Sequence, residues 1–173
     1  HGAVMIKAIA GGGGRGMRAV RSTAELEAAY PRCRSEAKSA FGNDEVYLEA
    51  LLPRARHVEV QIAGDGSGAV VHPWERECSV QRRNQKLVEI APSPGLDKAL
   101  RQRLLDAAVR LGEAARFDNL GTIEFLVDLD ARASEPGFAF IEANARLQVE
   151  HTVTEEVTGI DLVRAQLGLA AGR

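Results

Sequence analysis

Apolar and polar positions along this chain follow two distinct periods. In residues 56–62, Val58, Val60 and Ile62 fall on one side of an extended chain and polar residues fall on the other. Strict alternation of this kind predicts a β-strand. Residues 4–6 and 17–20 predict two short strands around a run of glycines. Similar patterns predict further strands over residues 45–52, 69–74, 86–90, 121–130 and 138–144.

The helical period appears in two longer segments and two short ones. Ser22 and Glu25 form a capping box, in which Ser22 is the N-cap and Glu25 reaches back to it. Pro31 interrupts the helical pattern that follows, which predicts a kink or a shifted start before the segment ends at residues 42–44. Asp97 is the expected N-cap of a second long helix, and residues 154–159 and 161–170 predict two short ones. The apolar stripe of the second helix consists of Leu100, Leu104, Ala108, Leu111 and Ala115.

These elements predict an α+β fold with mainly antiparallel strands. Among the 173 residues, 22 are Lys or Arg and 24 are Asp or Glu, so the formal net charge of −2 argues against a protein that coats nucleic acid. No apolar run approaches the ~20 residues that span a bilayer, so we expect no membrane association. Cys33 and Cys78 form no CxxC pair, and we expect two packing residues in a reducing, cytoplasmic compartment.

The glycine run at residues 11–16 is the clearest local motif. Backbone N–H groups of consecutive glycines suit phosphate oxygens. A P-loop requires Lys-Ser or Lys-Thr after Gly16, where Met17 and Arg18 stand, and a dinucleotide fingerprint should open a helix directly, although the predicted helix waits until Ser22. A glycine loop between strands favours a flap over ATP phosphates, with Lys7 pairing with their charge. A plain turn beside a surface lysine remains an alternative.

Two glutamates lie on the neighbouring strands predicted near the C-terminal end. If these strands form a symmetric hairpin centred near Ala133, Glu124 faces Glu142 across the ladder. Directly opposed like charges are destabilising, and apolar neighbours increase the cost. A divalent cation such as Mg²⁺ would resolve the conflict, with Asn144 on the same face as Glu142 as a neutral oxygen ligand. Two solvated glutamates remain the alternative.

Two polar segments offer further chemistry. If residues 144–151 are extended, Arg146, Gln148 and Glu150 lie on one side, where an arginine and a carboxylate can bind a small oxyanion and remove its proton. Residues 81–86 form a second, basic cluster, and such a run is usually a solvated face. His57, taken by itself, is more often structural than functional.

Taken together, these segments resemble the biotin carboxylase family of ATP-grasp enzymes. The resemblance is carried by VMIKAIAGGGGRGMRAV, VYLEALLPRARHVEVQ, ERECSVQRRNQKLVEIAPSPGLD, GTIEFL and FIEANARLQVEHTVTEEVTGIDLV. SVQRRNQK and RLQVEHTVTE are specific to biotin-dependent carboxylases, whereas the glycine loop and GTIEFL are shared with other ATP-grasp proteins. The resemblance implies a partial ATP-grasp lid at residues 1–50 and part of the C-terminal, mixed but mainly antiparallel sheet domain at 51–173.

The reaction implied by the resemblance carboxylates biotin with bicarbonate at the expense of ATP. ATP activates bicarbonate as carboxyphosphate, and the carbon dioxide released from it is captured by biotin N1. The implied cofactors are ATP, Mg²⁺ or Mn²⁺, and biotin on a carrier domain. The implied partners are bicarbonate, the biotin carrier domain and a carboxyltransferase, in a homo-oligomeric parent protein with no nucleic acid and no membrane.

The resemblance also assigns residues. Lys7, Gly13 and Gly14 contact the phosphates, a hinge segment holds adenine, and further residues lie along the nucleotide. The full nucleotide group is Lys7, Gly13, Gly14, Glu49, Ala50, Leu51, Leu52, His57, Gln81 and Asn84. The metal group is Glu124, Glu142 and Asn144, and the bicarbonate group is Lys86, Arg146 and the Val149 backbone. Arg146 and Glu150 are the catalytic residues, with Glu150 as the base that deprotonates bicarbonate.

Two positions depart from the family pattern. Asn84 stands where many members have histidine, and Ala145 stands where Thr or Pro is usual, which predicts a slightly looser anion site at Arg146. Family members also carry an N-terminal domain and a later arginine segment, so we expect this chain alone to be inactive. The alternatives are another ATP-grasp ligase, such as a carbamoyl-phosphate synthase relative, and a non-catalytic nucleotide-binding or carrier-docking module.

Overall fold

The computed structural model describes residues 3–11, 16–131 and 137–172. The chain divides into two compact units. The first comprises the residues up to Pro53 together with Arg82–Gln85, and the second comprises Arg54–Gln81 together with the residues from Lys86 onward.

The first unit contains a three-stranded antiparallel sheet and one long helix. The sheet has the order β2-β1-β3, with β1 at Val4–Ala8, β2 at Met17–Val20 and β3 at Val46–Ala50. The helix α1 spans Thr23–Phe41. All three predicted strands are confirmed, although β3 is shorter than residues 45–52. The small core between the sheet and the helix contains Ile6, Val20, Ala29 and Cys33.

The start of α1 agrees with the predicted capping box except for one bond. The Oγ of Ser22 accepts from the backbone N–H of Glu25 at 3.2 Å, as a helix N-cap requires. The Glu25 carboxylate accepts from the N–H of Arg21 at 2.7 Å, one residue before the expected partner. A shifted start at Pro31 is wrong, because the helix runs through this proline and buries Ala29 and Cys33 on either side of it. Gly42, at φ 75°, ends the helix.

The second unit is built on a sheet with the order β7-β6-β4-β8-β9, in which the short β5 pairs with β4. Its strands are β4 (Ala55–Asp65), β5 (Val70–Val71), β6 (Glu75–Arg82), β7 (Gln85–Ile90), β8 (Asp118–Asp128) and β9 (Phe138–Asn144). Its helices are α2 (Lys98–Ala114), α3 (His151–Thr158) and α4 (Leu162–Ala170). The predicted α+β class with antiparallel pairing is therefore confirmed. Within the described part of the chain, no helix combines the length and apolar character that a membrane crossing requires.

One strand of this sheet is missing from the sequence-based prediction. The sequence pattern predicts no strand over residues 75–85, whereas β6 spans Glu75–Arg82 and lies between β7 and β4. Glu75, Arg76 and Glu77 at its start are all buried. Their charges are matched by residues far away in the chain, and no local pattern of apolar positions marks the strand.

The strand β4 is buried on both of its faces. Val58, Val60 and Ile62 pack against α2 in the main hydrophobic cluster, together with Leu104 and Ala108. The α2 stripe is confirmed at these two positions, but Leu111 is 39% exposed, and Leu105 and Gly112 are buried in its place. The opposite face of β4 carries polar residues that are also removed from solvent, and this face forms the candidate site described below.

Gly64 in β4 offers a stability test of this packing. A Cβ at Gly64 would lie 2.1 Å from the carbonyl oxygen of Phe117. Because backbone cannot move aside easily, Gly64→Ala should lower the free energy of unfolding by about 1–3 kcal/mol. Native-state hydrogen exchange of the β4 and β8 amides would measure the loss. Val71→Ala, at a side chain that is 65% exposed on the paired strand, is the control and should stay within about 0.5 kcal/mol of wild type. Equal exchange in Gly64→Ala and wild type would contradict this packing.

Candidate active site

The polar face of β4 lies beside β8, and together they bury two carboxylates. The antiparallel register places Glu59 opposite Glu124. Glu59 is fully buried and Glu124 is 3% exposed. Buried carboxylates require charged or hydrogen-bonding partners, and the surrounding elements supply them.

Lys86, at the start of β7, is the cation at the centre of these carboxylates. Its Nζ lies 2.6 Å from Oε1 of Glu150 and 3.1 Å from Oε1 of Glu124, and it also contacts Oε2 of Glu59. Burial alone would lower the pKa of Lys86, but the charges of Glu59 and Glu124 and the hydrogen bond to Glu150 outweigh burial and raise it. The ammonium group therefore remains charged at neutral pH.

Both carboxylate oxygens of Glu124 have polar partners. Oε1 accepts from the side-chain amides of Asn144 and Gln148, each at 3.0 Å, as well as from Lys86. Oε2 lies 2.6 Å from Nε2 of His57. Burial raises the pKa of Glu124, but the hydrogen bond with His57 and the charge of Lys86 outweigh this effect and hold the pKa at about 2. Glu124 is thus a permanent carboxylate.

Glu150 is also kept ionised by a charged partner, which is Lys86. Burial raises its pKa, whereas the hydrogen bond from Lys86 lowers it, and the net pKa lies below the ordinary value of 4.5. Glu150 is the N-cap residue of α3 and makes no side-chain capping bond. Its carboxylate is therefore directed to Lys86 and not to its own helix.

The opposed glutamates of the predicted hairpin are confirmed. Glu124 of β8 pairs with Glu142 of β9, and a β-bulge follows directly after this pair. The side-chain nitrogen of Asn144 donates to both carboxylates, at 3.0 Å each. The repulsion is therefore relieved without a divalent cation, because Asn144 bridges the two carboxylates and Lys86 pairs with Glu124.

The donor set at this pair nevertheless suits a hard divalent cation. Two carboxylates converge with one amide, and such oxygen donors are the ligands that Mg²⁺ prefers. Asn144 would present its oxygen to a cation by rotating the amide group, whose nitrogen now bridges the glutamates. Ligand atoms of His57, Glu59 and Glu124 also lie within 4.8 Å of one another.

The predicted extended strip after β9 is wrong. The chain leaves the extended conformation after Asn144 and turns into α3, so Arg146 and Glu150 do not share a strand face. Arg146 is exposed and its Nη1 donates to the carbonyl of Leu147 at 3.4 Å. The ion-pair partner of Glu150 is Lys86. Val149 is 90% exposed, which leaves its backbone open to a ligand.

His57 and Gln81 extend the site along β4 and β6. The side-chain nitrogen of Gln81 lies 2.7 Å from Nδ1 of His57 and donates to the carbonyl of Cys78 at 2.8 Å. If Gln81 donates to Nδ1, the proton of the neutral imidazole is on Nε2 and faces Glu124. The structure therefore links the two residues predicted to lie along the nucleotide with one of the predicted metal ligands.

The remaining predicted residues belong to the first unit. Nζ of Lys7 forms a 2.7 Å ion pair with Oε2 of Glu49, across the β1–β3 pairing. The predicted hinge continues from Ala50 through Leu51 and Leu52, and the N–H of Leu51 donates to the carbonyl of Ala3. Asn84, at φ 61°, and its neighbour Arg83, at φ 53°, form the tight turn between β6 and β7. Gly13 and Gly14 lie outside the described residues.

Three buried polar residues of the site were missed by the sequence-based prediction. Glu59 could have been found, since it lies between His57 and Gln61 on the polar side of a confirmed strand. Arg76 had no such signal, because its burial depends on the interior position of the unpredicted β6. Gln148 was placed on the extended strip, but it is 6% exposed and its Oε1 has no hydrogen-bond partner among the described residues.

Comparisons with known proteins support the resemblance to biotin carboxylases. The chain is 56% identical over 169 residues to the pyruvate carboxylase of Staphylococcus aureus, which covers 98% of this chain and 14% of that protein. A biotin carboxylase–βγ-ATP complex from Campylobacter jejuni superposes with a TM-score of 0.93 at 46% identity, over all of this chain and 38% of that one. The biotin carboxylase domain dimer of Hydrogenobacter thermophilus 2-oxoglutarate carboxylase, in complex with MgADP, ADP and bicarbonate, gives 0.91 at 43% identity, over 100% and 37%.

These similarities confirm the predicted resemblance and the ATP-grasp fold. The chain spans only about a seventh of the curated relatives that it matches, at 14% of the Staphylococcus aureus protein. The family model described as carbamoyl-phosphate synthase L chain, ATP binding domain, matches residues 3–173. Because that match runs through both compact units, the chain belongs to the carbamoyl-phosphate synthase L chain ATP-binding domain family.

Proposed function

We propose that this chain is part of a biotin-dependent carboxylase and contributes to the ATP-dependent carboxylation of biotin with bicarbonate through carboxyphosphate. The observation that carries the proposal is the position of Lys86, which is half-buried and contacts Glu59, Glu124 and Glu150. In this arrangement, Lys86 is a fixed cation for an anionic substrate and Glu150 is a carboxylate that can accept the proton of that substrate. Glu124 also belongs to the proposed metal site. The relatives named above, which include pyruvate and 2-oxoglutarate carboxylases, support the same reaction class.

Bicarbonate would bind at the side of Lys86 that faces Glu150. Lys86 and Arg146 supply positive charge, and the exposed backbone of Val149 supplies a hydrogen-bond donor. Glu150 takes the proton of bicarbonate, since it is held as a carboxylate within reach of the same ammonium group. Deprotonation makes the bicarbonate oxygen a nucleophile toward the terminal phosphorus of ATP, and carboxyphosphate and ADP are the products.

Glu124, Glu142 and Asn144 would hold Mg²⁺ or Mn²⁺. When bound, the cation neutralises charge on the nucleotide phosphates. The bicarbonate and MgADP in the Hydrogenobacter thermophilus structure support these assignments. We propose that the phosphates are contacted by Lys7, Gly13 and Gly14, and that adenine is held by residues 49–52. For His57, Gln81 and Asn84 we propose nucleotide contacts.

The biotin would be delivered on a carrier domain, and a carboxyltransferase would use the product. We also propose a homo-oligomeric parent protein in the cytoplasm.

Support for a reducing compartment comes from Cys33 and Cys78, which are both buried and unpaired. Burial raises the pKa of the Cys78 thiol, so this residue is an inert packing group.

An assay on the longer protein that contains this chain tests the function. We expect ADP formation that requires bicarbonate and is accelerated by free biotin. The second candidate is synthesis of a carbamoyl phosphate, which is favoured by the description of the matched family model. In that case ADP formation would respond to ammonia and not to biotin. Cleavage of ATP that is indifferent to bicarbonate would exclude both functions.

Glu142→Gln tests the metal assignment without relying on turnover. The substitution removes one of the two opposed carboxylates and keeps the size of the side chain. Mn²⁺ titration followed by electron paramagnetic resonance should show an affinity reduced by at least roughly 10–100-fold, the effect of losing even an indirect partner of a metal ligand. Glu113→Gln, at an exposed carboxylate on α2, is the matched control and should leave Mn²⁺ affinity unchanged. Unaltered binding in Glu142→Gln would remove Glu142 from the metal site.

A further inference from the structure

Arg76 is a fully buried arginine of the site to which the proposed function assigns no role. Its side chain on β6 has no solvent exposure. Nε donates to Oε1 of Glu59 at 2.5 Å, and Nη1 donates both to Oε1 of Gln61 at 2.9 Å and to Oγ1 of Thr154 at 2.8 Å. Nη2 lies 3.5 Å from Oγ1 of Thr122. A buried ion pair of this kind costs desolvation energy and is weak evidence for stability by itself, so its geometry calls for a functional explanation.

Two of these bonds connect Arg76 to the Lys86–Glu150 pair, one through Glu59 and one through helix α3. Glu59 uses one oxygen for Arg76 and the other for Lys86. The bond to Arg76 therefore fixes the orientation in which Glu59 receives the ammonium group. Lys86 is thereby held by Glu59 as well as by Glu150.

The second connection runs through helix α3. Thr154 lies in the first turn of this helix and is 1% exposed, and Glu150 is the N-cap residue of the same helix. A hydrogen bond from Arg76 to Thr154 ties this first turn to the interior of the sheet. Nζ of Lys86 and Oε1 of Glu150 lie 2.6 Å apart. Arg76 influences both members of this pair, because it orients Lys86 through Glu59 and anchors the helix of Glu150 through Thr154.

We propose that Arg76 is a positioning residue that sets the geometry of the Lys86–Glu150 pair by holding Glu59 and helix α3 at the same time. The inference deepens the proposed function and rests on it. Arg76 reaches no substrate and acts only through these two partners. An arginine suits this role because its planar fork presents donors in several fixed directions, whereas a lysine ammonium group is a single point charge on a flexible stem.

The sharpest test separates the α3 connection from the buried charge. Arg76→Ala would deprive the buried Glu59 of one of its two charged partners, so loss of folding is an expected complication. Thr154→Val removes only the hydrogen bond to Arg76 and keeps the shape of the side chain. The matched control is Thr158→Val in the same helix, which loses the 2.7 Å bond to the Thr154 carbonyl and the 3.2 Å bond from the Ile160 N–H. Among the described residues, the hydrogen bonds of Arg76 go to Glu59, Gln61, Thr122 and Thr154, and not to Thr158.

The kinetic comparison uses the longer protein that contains this chain. In Thr154→Val we expect kcat/KM for bicarbonate to fall by about tenfold, which is the scale of one lost hydrogen bond to a charged group, while the KM for ATP stays within about twofold. Thr158→Val should leave both parameters within about twofold of wild type. The proposal is overturned if Thr154→Val keeps its bicarbonate kcat/KM, or if Thr158→Val loses as much.

Hydrogen exchange separates failure of this inference from failure of the proposed function. The backbone N–H of Val153 donates to the carbonyl of Glu150 in the first turn of α3, and the N–H of Gly159 donates to Glu155 at its end. Thr154→Val should speed exchange at Val153 by about tenfold, and Thr158→Val should speed only exchange at the end of the helix. If wild type shows no bicarbonate-dependent ATP cleavage, the proposed function fails, and the exchange at Val153 still decides whether Arg76 holds α3.

Discussion

Replacing Lys86 by methionine should remove bicarbonate-dependent ATP cleavage and destabilise the second unit. The substitution keeps an unbranched side chain as far as the Cε position but deletes the ammonium group that contacts Glu59, Glu124 and Glu150. Without it, three carboxylates face one another in a water-poor environment. Loss of a buried charge partner costs about 3–5 kcal/mol, and loss of one preorganised cationic donor costs roughly 10²–10³ in turnover.

The stability loss in Lys86→Met should depend on pH in a defined direction. The folded state holds the pKa of Glu150 below its ordinary value of 4.5 because of Lys86. A carboxylate with a depressed pKa contributes stability above that ordinary value, and the contribution is lost as the pH falls below it. The difference in the free energy of unfolding between wild type and Lys86→Met should therefore be greatest at neutral pH and should shrink below about pH 4.5.

A surface lysine provides the control for this prediction. Lys98→Met changes the exposed first residue of α2 and alters the net charge by the same amount. It should affect neither turnover nor the free energy of unfolding by more than about 0.5 kcal/mol. Hydrogen exchange of the β4–β8 ladder at several pH values and an assay of phosphate release measure both effects. A Lys86→Met protein with wild-type turnover would remove Lys86 from the bicarbonate site.

A symmetric hairpin centred near Ala133 predicts that Glu124 faces Glu142, and the structure reaches this pairing through a β-bulge. On the loop side of the bulge, the pairs run from Val127–Phe138 to Phe125–Phe140, and the same register continued would place Glu124 opposite Ile141. One extra residue of β9 at the bulge brings Glu142 opposite Glu124 instead. The position of the loop therefore predicts the register only to within one residue, and the bulge that decides it has no signal in the sequence pattern.

The environment of Lys86 could not be predicted because it depends on an interior strand without apolar periodicity. Buried Glu75 is matched by Arg101 and buried Glu77 by Arg56, and both partners lie more than 20 positions away in the chain. Burial of charged residues becomes favourable only when such partners are in place. A pattern that considers neighbouring residues therefore predicts a solvated segment where the fold builds β6.

The prediction that Arg146 and Glu150 share one face of an extended strand is wrong for a different physical reason. An alternating pattern predicts a shared face only if the backbone continues as a strand, and after Asn144 the chain turns so that α3 can begin at His151. Glu150 consequently meets Lys86, which is 64 positions away. A sequence motif can propose catalytic residues, but the charge partners of those residues follow from the tertiary fold.

Glu150→Gln should preserve nucleotide binding and lower bicarbonate-dependent turnover by roughly 10²–10⁴, the usual contribution of general acid–base catalysis. The amide keeps the size of the side chain but cannot accept the proton of bicarbonate. In the absence of substrate, the hydrogen bond from Lys86 depresses the pKa of Glu150, and a depressed pKa makes a carboxylate a weaker base. Bicarbonate that draws the ammonium group toward itself would relax this depression, so the base becomes stronger when its substrate is bound.

The substitution therefore has a signature that a merely structural role would not produce. Turnover of wild type at saturating ATP should rise with pH as Glu150 loses its proton, and Glu150→Gln should lack this dependence. Glu156→Gln, at an exposed carboxylate two turns along α3, is the matched control and should keep the wild-type profile. If Glu150→Gln instead weakened ATP binding and left turnover at saturating ATP intact, Glu150 would serve only to hold Lys86. The proton of bicarbonate would then have to leave to another acceptor, and the candidate is Glu59, whose carboxylate also contacts the ammonium group of Lys86.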